Sequence, residues 1–176
     1  MKRLVIVLLF TSLISGCDLG VRENLKDLTL HSPVLLDSWA TQKVKPGQVW
    51  KVFLAGEDQD GDMRLIVSAI APRNRQVLNY ESTFLRGNNR KAFSGYLYAS
   101  TPASFSLNGE RFVVSFFIRD ASGRKSNPVS FWIDFVQEET GYELPEKWRS
   151  AANNRLGGIF GDYLNNYVRR LKFPRR

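Results

Sequence analysis

Two runs in the second half of the chain set the terms for its fold. Phe112, Val114, Phe116 and Ile118 alternate with Val113, Ser115, Phe117 and Arg119, and Val129, Phe131, Ile133 and Phe135 alternate with Ser130, Trp132 and Asp134. A period of two sends successive side chains to opposite faces of an extended strand, so each run has one apolar face that must be buried. Two strands alone cannot bury it. The other runs of this kind are 34–41, 48–55, 63–71, 76–82 and 91–100, which with 110–119 and 128–136 make seven. Turn chemistry separates them: Pro46-Gly47, Asp60-Gly61, Pro72-Arg73-Asn74, the polar loop 86–90 and Asn108-Gly109, with 120–127 (DASGRKSN) between the last two. Seven short strands at regular spacing predict a mainly β chain folded as an antiparallel β-sandwich. The opposite faces carry Phe117 and Trp132, too apolar for open water, so a cover over them is expected.

The segments KPGQVWKVFLAGEDQDGDM and GERFVVSFFIRDASGRKSNPVSFWI resemble the second and third and the last two strands of immunoglobulin-like modules in bacterial envelope proteins, among them cadherin-like and fibronectin-type-III-like domains. The resemblance spans about residues 33–136 and implies fold rather than role. Cys17 is the only cysteine, so the inter-sheet disulfide of antibody-type domains has no counterpart.

The start of the chain is an address. Lys2 and Arg3 precede an unbroken apolar run at 4–10 (LVIVLLF), and small and polar residues lead to Ile14-Ser15-Gly16-Cys17. Charge, apolar run and small residues in that order form a secretory signal, and the run is far shorter than the roughly 20 residues of a bilayer-spanning helix. The last four residues resemble the lipobox of bacterial lipoproteins. That resemblance implies lipidation of Cys17 on sulfur, cleavage before it, acylation of the new N-terminus and a place in the cell envelope, periplasmic or surface-facing. Asp18 resembles the signal that retains enteric lipoproteins at the inner membrane. The division that follows is a signal peptide at 1–16, a lipidated Cys17 and tether at 17–33, the sandwich at 34–137, and a linker with a basic helical tail at 138–176. A short helix within the tether and a tether role for His31, the only histidine, complete that reading.

Charge locates the unusual part. The formal charge is +8 and the pI near 9.8. Residues 17–144 contain 15 basic and 15 acidic side chains, whereas 145–176 contain 8 basic against Glu146 and Asp162. Nucleic acid is the usual partner for such a pI, but an exported, anchored protein rarely meets it; anionic lipid or an acidic envelope partner fits better. Trp148, Ala152, Leu156, Ile159, Phe160, Tyr163, Tyr167, Val168 and Leu171 recur at steps of three and four, which predicts an amphipathic helix. Gly157, Gly158 and Gly161 predict a bend or a division into two helices. Arg169, Arg170 and Lys172 sit where the helix dipole favours cations and are the candidate partner-binding residues. Three roles are open to this tail: packing over Phe117 and Trp132, lying on a membrane, or docking a partner.

Two other constellations invite chemistry. In an immunoglobulin-like sandwich the loops after the second and sixth strands meet, which would bring Glu57, Asp58, Asp60 and Asp62 near Asp120 and Asn127. Calcium, a hard cation wanting six to eight oxygens, is the ligand such a cluster would take; Asp and Asn bonding their own turns is the simpler account. Tyr80, Tyr96 and Tyr98, with Trp39, would stack on a glycan or a partner, or pack across strands. Catalysis finds little support: no Gly-x-Ser-x-Gly elbow, no nucleophile paired to His, no Cys/His metal spacing and no phosphate-cradling loop, which leaves only a paired-carboxylate hydrolase drawing on Asp58, Asp60 or Glu81. The expected role is a membrane-anchored, non-catalytic interaction module without a required cofactor, its partner an unidentified envelope protein. Calcium or glycan binding is the alternative.

Overall fold

A computed structural model describes residues 31–73, 78–138 and 141–172. The strands are β1 (Val34–Ala40), β2 (Lys43–Val44), β3 (Val49–Glu57), β4 (Met63–Pro72), β5 (Asn79–Phe84), β6 (Ala92–Ser100), β7 (Arg111–Asp120), β8 (Val129–Phe135) and β9 (Arg155–Gly158), followed by helix α1 (Gly161–Lys172). They form two facing sheets, β1-β3-β6-β9 and β2-β8-β7-β4-β5. All seven expected strands are present. The two extra ones are short, and both pair in parallel: β2 with β8 and β9 with β6.

This strand order is that of an immunoglobulin-like sandwich. The first strand divides between the sheets, β1 pairing with β3 and β2 with β8. Strand β6 lies beside β3, while β7 sits between β4 and β8. The position beside β6 normally goes to an intervening strand of the sandwich. Here it goes to β9, supplied by the C-terminal segment.

The alternation explains the core. Phe112, Val114, Phe116 and Ile118 of β7 are fully buried, and Ile133 and Phe135 of β8 join them. Trp50, Val52 and Leu54 of β3 and Ile66 and Ile70 of β4 complete the space between the sheets. Burying each such side chain is worth about 1.5–3 kcal/mol, so this layer is the main source of stability.

The C-terminal segment departs from the helical reading. Residues Glu146–Trp148 and Ala151–Asn153 are single 3-10 turns, and Arg155–Gly158 is a strand; only Gly161–Lys172 is α-helical. The reason lies in the glycines. A Cβ on Gly157 would sit 2.6 Å from Thr83 Cγ2, so the backbone runs closer to the sandwich than any side-chain-bearing helix can. The apolar residues are nonetheless buried. Trp148 and Ala151 pack on Phe53 beneath Trp39 and Tyr96, while Ile159, Phe160, Leu164, Tyr167 and Val168 join the main core. Tyr167 meets the edge of Phe112 with ring centroids 5.0 Å apart. The tail therefore completes the four-stranded sheet and closes the interior, and leaves Phe117 and Trp132 uncovered by it.

Candidate functional site

The loops after β3 and β7 meet at one end of the sandwich, as the strand order requires. The Ala121 amide donates to the Asp62 carbonyl at 3.1 Å. Asp58 is buried and organises its own turn. Its Oδ1 accepts from the Asp60 amide at 3.3 Å and its Oδ2 from the Asp62 amide at 3.1 Å. Gly61 adopts φ 71, open to glycine without strain, and its amide donates to the Asp58 carbonyl. Asp120, also buried, accepts from the Ser122 hydroxyl at 2.7 Å and the Arg124 amide at 2.8 Å, with Arg124 Nε 3.3 Å from its other oxygen. These are turn-forming bonds.

Asp62 differs from its neighbours. Its Oδ1 is buried without a hydrogen bond, as is Asp120 Oδ2. Burial first, then a hydrogen bond with Asp58 and the negative charges of Asp120, Asp58 and Asp60, push its carboxyl above the ordinary range. Asp60 shifts the other way: the hydrogen bond from His31 holds its carboxyl below the ordinary range. The His31 amide donates to Asp60 Oδ2 at 2.6 Å, and His31 Nδ1 lies 3.1 Å from Asp60 Oδ1. His31, expected in the tether, is thus fastened to the acidic loop. Nothing in its sequence neighbourhood signals that contact. Among the described residues, no group of three His, Cys, Asp or Glu side chains is arranged to hold a metal ion.

The tyrosines do not share a surface. Tyr80 lies on edge strand β5 of the five-stranded sheet, whereas Tyr96 and Tyr98 belong to β6 in the other sheet. Tyr96 packs on Phe53 at 5.7 Å with Lys51 over its ring, and Tyr98 lies beneath Arg155. Cross-strand packing and the C-terminal segment occupy these two rings.

The basic residues Arg169, Arg170 and Lys172 are exposed on the last turn of α1. Arg170 lines a groove of about 260 Å³ with Tyr80, Glu81 and Asp162. The larger cavity, about 820 Å³, lies at the end opposite the acidic loops, between Pro72, Glu110, Arg111 and Tyr167. Two pairs of its polar groups engage each other: Tyr167 donates to Glu110 at 2.7 Å, and Arg111 forms a forked pair with Asp134, at 2.6 Å for its Nη2.

What the alternation left implicit is the outer face of the five-stranded sheet. Cross-strand partners share a face, and the register places Phe84, Leu65 and Arg119 in one row and Ser82, Val67 and Phe117 in the next. Tyr80, Ala69, Ser115 and Ser130 form a third row, with Ala71, Val113 and Trp132 in a fourth. Trp132 is 46% exposed, Tyr80 60% and Phe84 58%. The alternation of Leu78, Tyr80, Ser82 and Phe84 is the signal that could have shown β5 contributing to this face.

The fold thus defines a two-sheet, immunoglobulin-like β-sandwich with a C-terminal helix docked on its core. No protein-family profile matches the chain, and no curated protein is similar to it. Similar solved structures include the PKD domain of an M14-like peptidase from a Thermoplasmatales archaeon, with TM-score 0.42 and 11% identity over 60% of this chain and 97% of that one. The sporulation control protein Spo0M from Bacillus subtilis aligns with TM-score 0.39 and 11% identity, covering 62% of this chain and 51% of its own. A human seminal-plasma complex of zinc 2-glycoprotein and prolactin inducible protein gives TM-score 0.34 and 5% identity, over 61% of this chain and 98% of that one.

Proposed function

We propose that this chain is a lipid-anchored protein of the bacterial envelope whose sandwich serves as a non-catalytic interaction module. The observation that carries the reading is Cys17. It stands as the only cysteine, directly after Ile14-Ser15-Gly16 and a charged, apolar leader. Cys17 lies outside the described residues, so its support is chemical: a lone exported thiol finds a use in acylation, and two or three acyl chains hold a protein on a membrane where one is marginal. The rigid sandwich carrying exposed aromatic side chains and cations supports the second half of the reading, since Trp, Tyr and Arg are the side chains enriched at interaction surfaces. Labelling with radioactive palmitate tests the anchor: the native chain should take up label and Cys17→Ser should take up none. An unlabelled native chain would refute it.

A cation-binding role is the second reading. It is favoured by Asp62 Oδ1, which is buried without a hydrogen bond beside the loop that carries Asp120. Calcium titration of the melting temperature decides it.

A further inference from the structure

We propose that the outer face of the five-stranded sheet is a membrane-docking surface, fitted to an anionic lipid bilayer. The proposal extends the anchored reading above and rests on it for the supply of a nearby membrane.

The face has the chemistry of a bilayer interface. Leu78, Tyr80, Phe84 and Trp132 stand exposed on it around half-buried Phe117 and the buried side chains of Val67, Ala69 and Ala71. Amphipathic rings such as Trp and Tyr concentrate at headgroup level, where one end is apolar and the other wet. Cations lie on or around the same face. Lys125 sits 5.3 Å over the Phe117 ring and Arg119 is exposed on the face itself, while Arg111, 5.8 Å from the Trp132 ring, has its charge matched by Asp134. Arg170 stands at the border beside Tyr80. Long basic side chains of this kind lay their stems on apolar surface and lift their charge to the headgroups. The nearby acids are engaged or withdrawn: Asp134 is held by Arg111, and Asp62 and Asp120 are drawn into the loops. Asp162 shares the groove with Arg170.

The arrangement also discriminates between occupants. A second copy would set the same cations against each other. A protein partner is normally gripped by large anchors at the centre of the contact. Here the middle of the face holds Ala69, Ser115 and Ser130, with the two hydroxyls 2.8 Å apart, and its one large ring, Phe117, already carries Lys125 above it. The exposed rings Tyr80 and Trp132 stand on β5 and β8, three strand spacings, about 14 Å, apart across the sheet. A fluid bilayer accepts such a pattern without a complementary pocket. The leash leaves at a suitable place, because His31 is fixed at Asp60 and the Leu35 amide donates to Asn127 Oδ1, beside the loop that carries Lys125.

The test uses the mature-length chain with Cys17→Ser, so that no lipid anchor contributes, and vesicles of phosphatidylcholine with or without phosphatidylglycerol. Sedimentation should show binding to the mixed vesicles, weakened by salt, and little to the neutral ones. Trp132 is the most exposed of the four tryptophans, so emission should move to shorter wavelength on binding, and Trp132→Phe should abolish that shift. Arg119→Ala with Lys125→Ala should weaken binding about thirtyfold while leaving the urea midpoint unchanged. No binding to anionic vesicles would overturn the proposal. So would binding that leaves Trp132 emission unchanged, or binding lost in Arg169→Ala with Lys172→Ala but kept in the face variant. Failure of the anchor is a separate result: it would appear as absent palmitate and leave vesicle binding of the unlipidated chain intact.

Discussion

Phe160→Ala is the perturbation that most directly tests whether the C-terminal segment is structural. Phe160 is fully buried in the main core and has a φ of 58, a conformation costly to any residue with a Cβ. Two bonds hold it: its amide donates to Glu81 Oε2 at 2.6 Å and its carbonyl accepts from the Leu164 amide at 2.9 Å, starting α1. Alanine keeps the backbone conformation and its cost, so the change reports packing alone. Removing a buried Phe side chain costs about 3–5 kcal/mol, a large share of the roughly 5–15 kcal/mol that holds a domain together. Urea denaturation of the unlipidated chain, followed by tryptophan emission, should show the midpoint fall with the slope unchanged. Phe105, 88% exposed at the tip of the loop after β6, is the control; Phe105→Ala should change stability by no more than about 0.5 kcal/mol. Glu81→Ala should cost about 1–3 kcal/mol by leaving the Phe160 amide without its acceptor. If Phe160→Ala loses no more than Phe105→Ala, the segment is not part of the core and its apolar stripe must face something else.

Asp62→Asn should raise stability at neutral pH. The folded state disfavours the charged Asp62 carboxylate, so its contribution destabilises above its raised folded pKa and is relieved as pH falls through that value; the wild type should therefore gain on the variant as pH drops through that window, and a variant less stable at neutral pH would contradict the sign. Calcium should leave the melting temperature of the wild type within about 1 °C, a change corresponding to less than about 0.5 kcal/mol; a dose-dependent rise abolished by Asp62→Asn would establish a cation site between the two loops. Gly95→Ala should destabilise by about 1–3 kcal/mol, because its Cβ would stand 2.6 Å from the Asn154 carbonyl oxygen and 2.9 Å from Leu156 Cγ; a neutral result in thermal melts would mean that the 154–156 segment does not lie against β6. Lys147→Ala, which breaks a 2.7 Å pair with Asp37 between two exposed side chains, should cost no more than about 1 kcal/mol by the same melts.

The strands were legible because each carries its own evidence of burial on one face, and β7 illustrates it: four alternate apolar residues can only be an inner face. Strands β2 and β9 were not, for a related reason. Two or four residues are too few to show a period, and β9 includes Gly157 and Gly158, which have no side chain to alternate. The stripe from Trp148 to Leu171 correctly marked what is buried and misled about how. Apolar spacing records which residues face a core, and 3-10 turns and a parallel strand satisfied that spacing as well as a helix would, while the glycines gave the closer approach that a helix forbids. In the acidic loops the meeting of Asp62 and Asp120 was readable from the order of strands. Their bonding was not, since the same Asp spacing serves either a cation or the turn itself.

Placing the tail has a consequence for the rest of the surface. The intervening strand β5 pairs with β4 in the five-stranded sheet, and the chain between β5 and β6 holds only a short turn, Gly87–Arg90, so the place beside β6 is left free. The C-terminal segment fills that position with β9 and then turns α1 across the interior, committing its apolar side chains to the core. It has none left to cover Phe117 and Trp132. The two ends of the described chain are therefore both fastened, His31 to the loop at Asp60 and α1 to Phe112, while the outer face of the five-stranded sheet stays open. Fastening His31 also shortens the leash: the fourteen residue steps from Cys17 to His31 span at most about 50 Å when extended. Strand β7, ten residues long, reaches only about 33 Å. Under the anchored reading the whole open face stays within reach of the bilayer, and docking it requires no movement of the core.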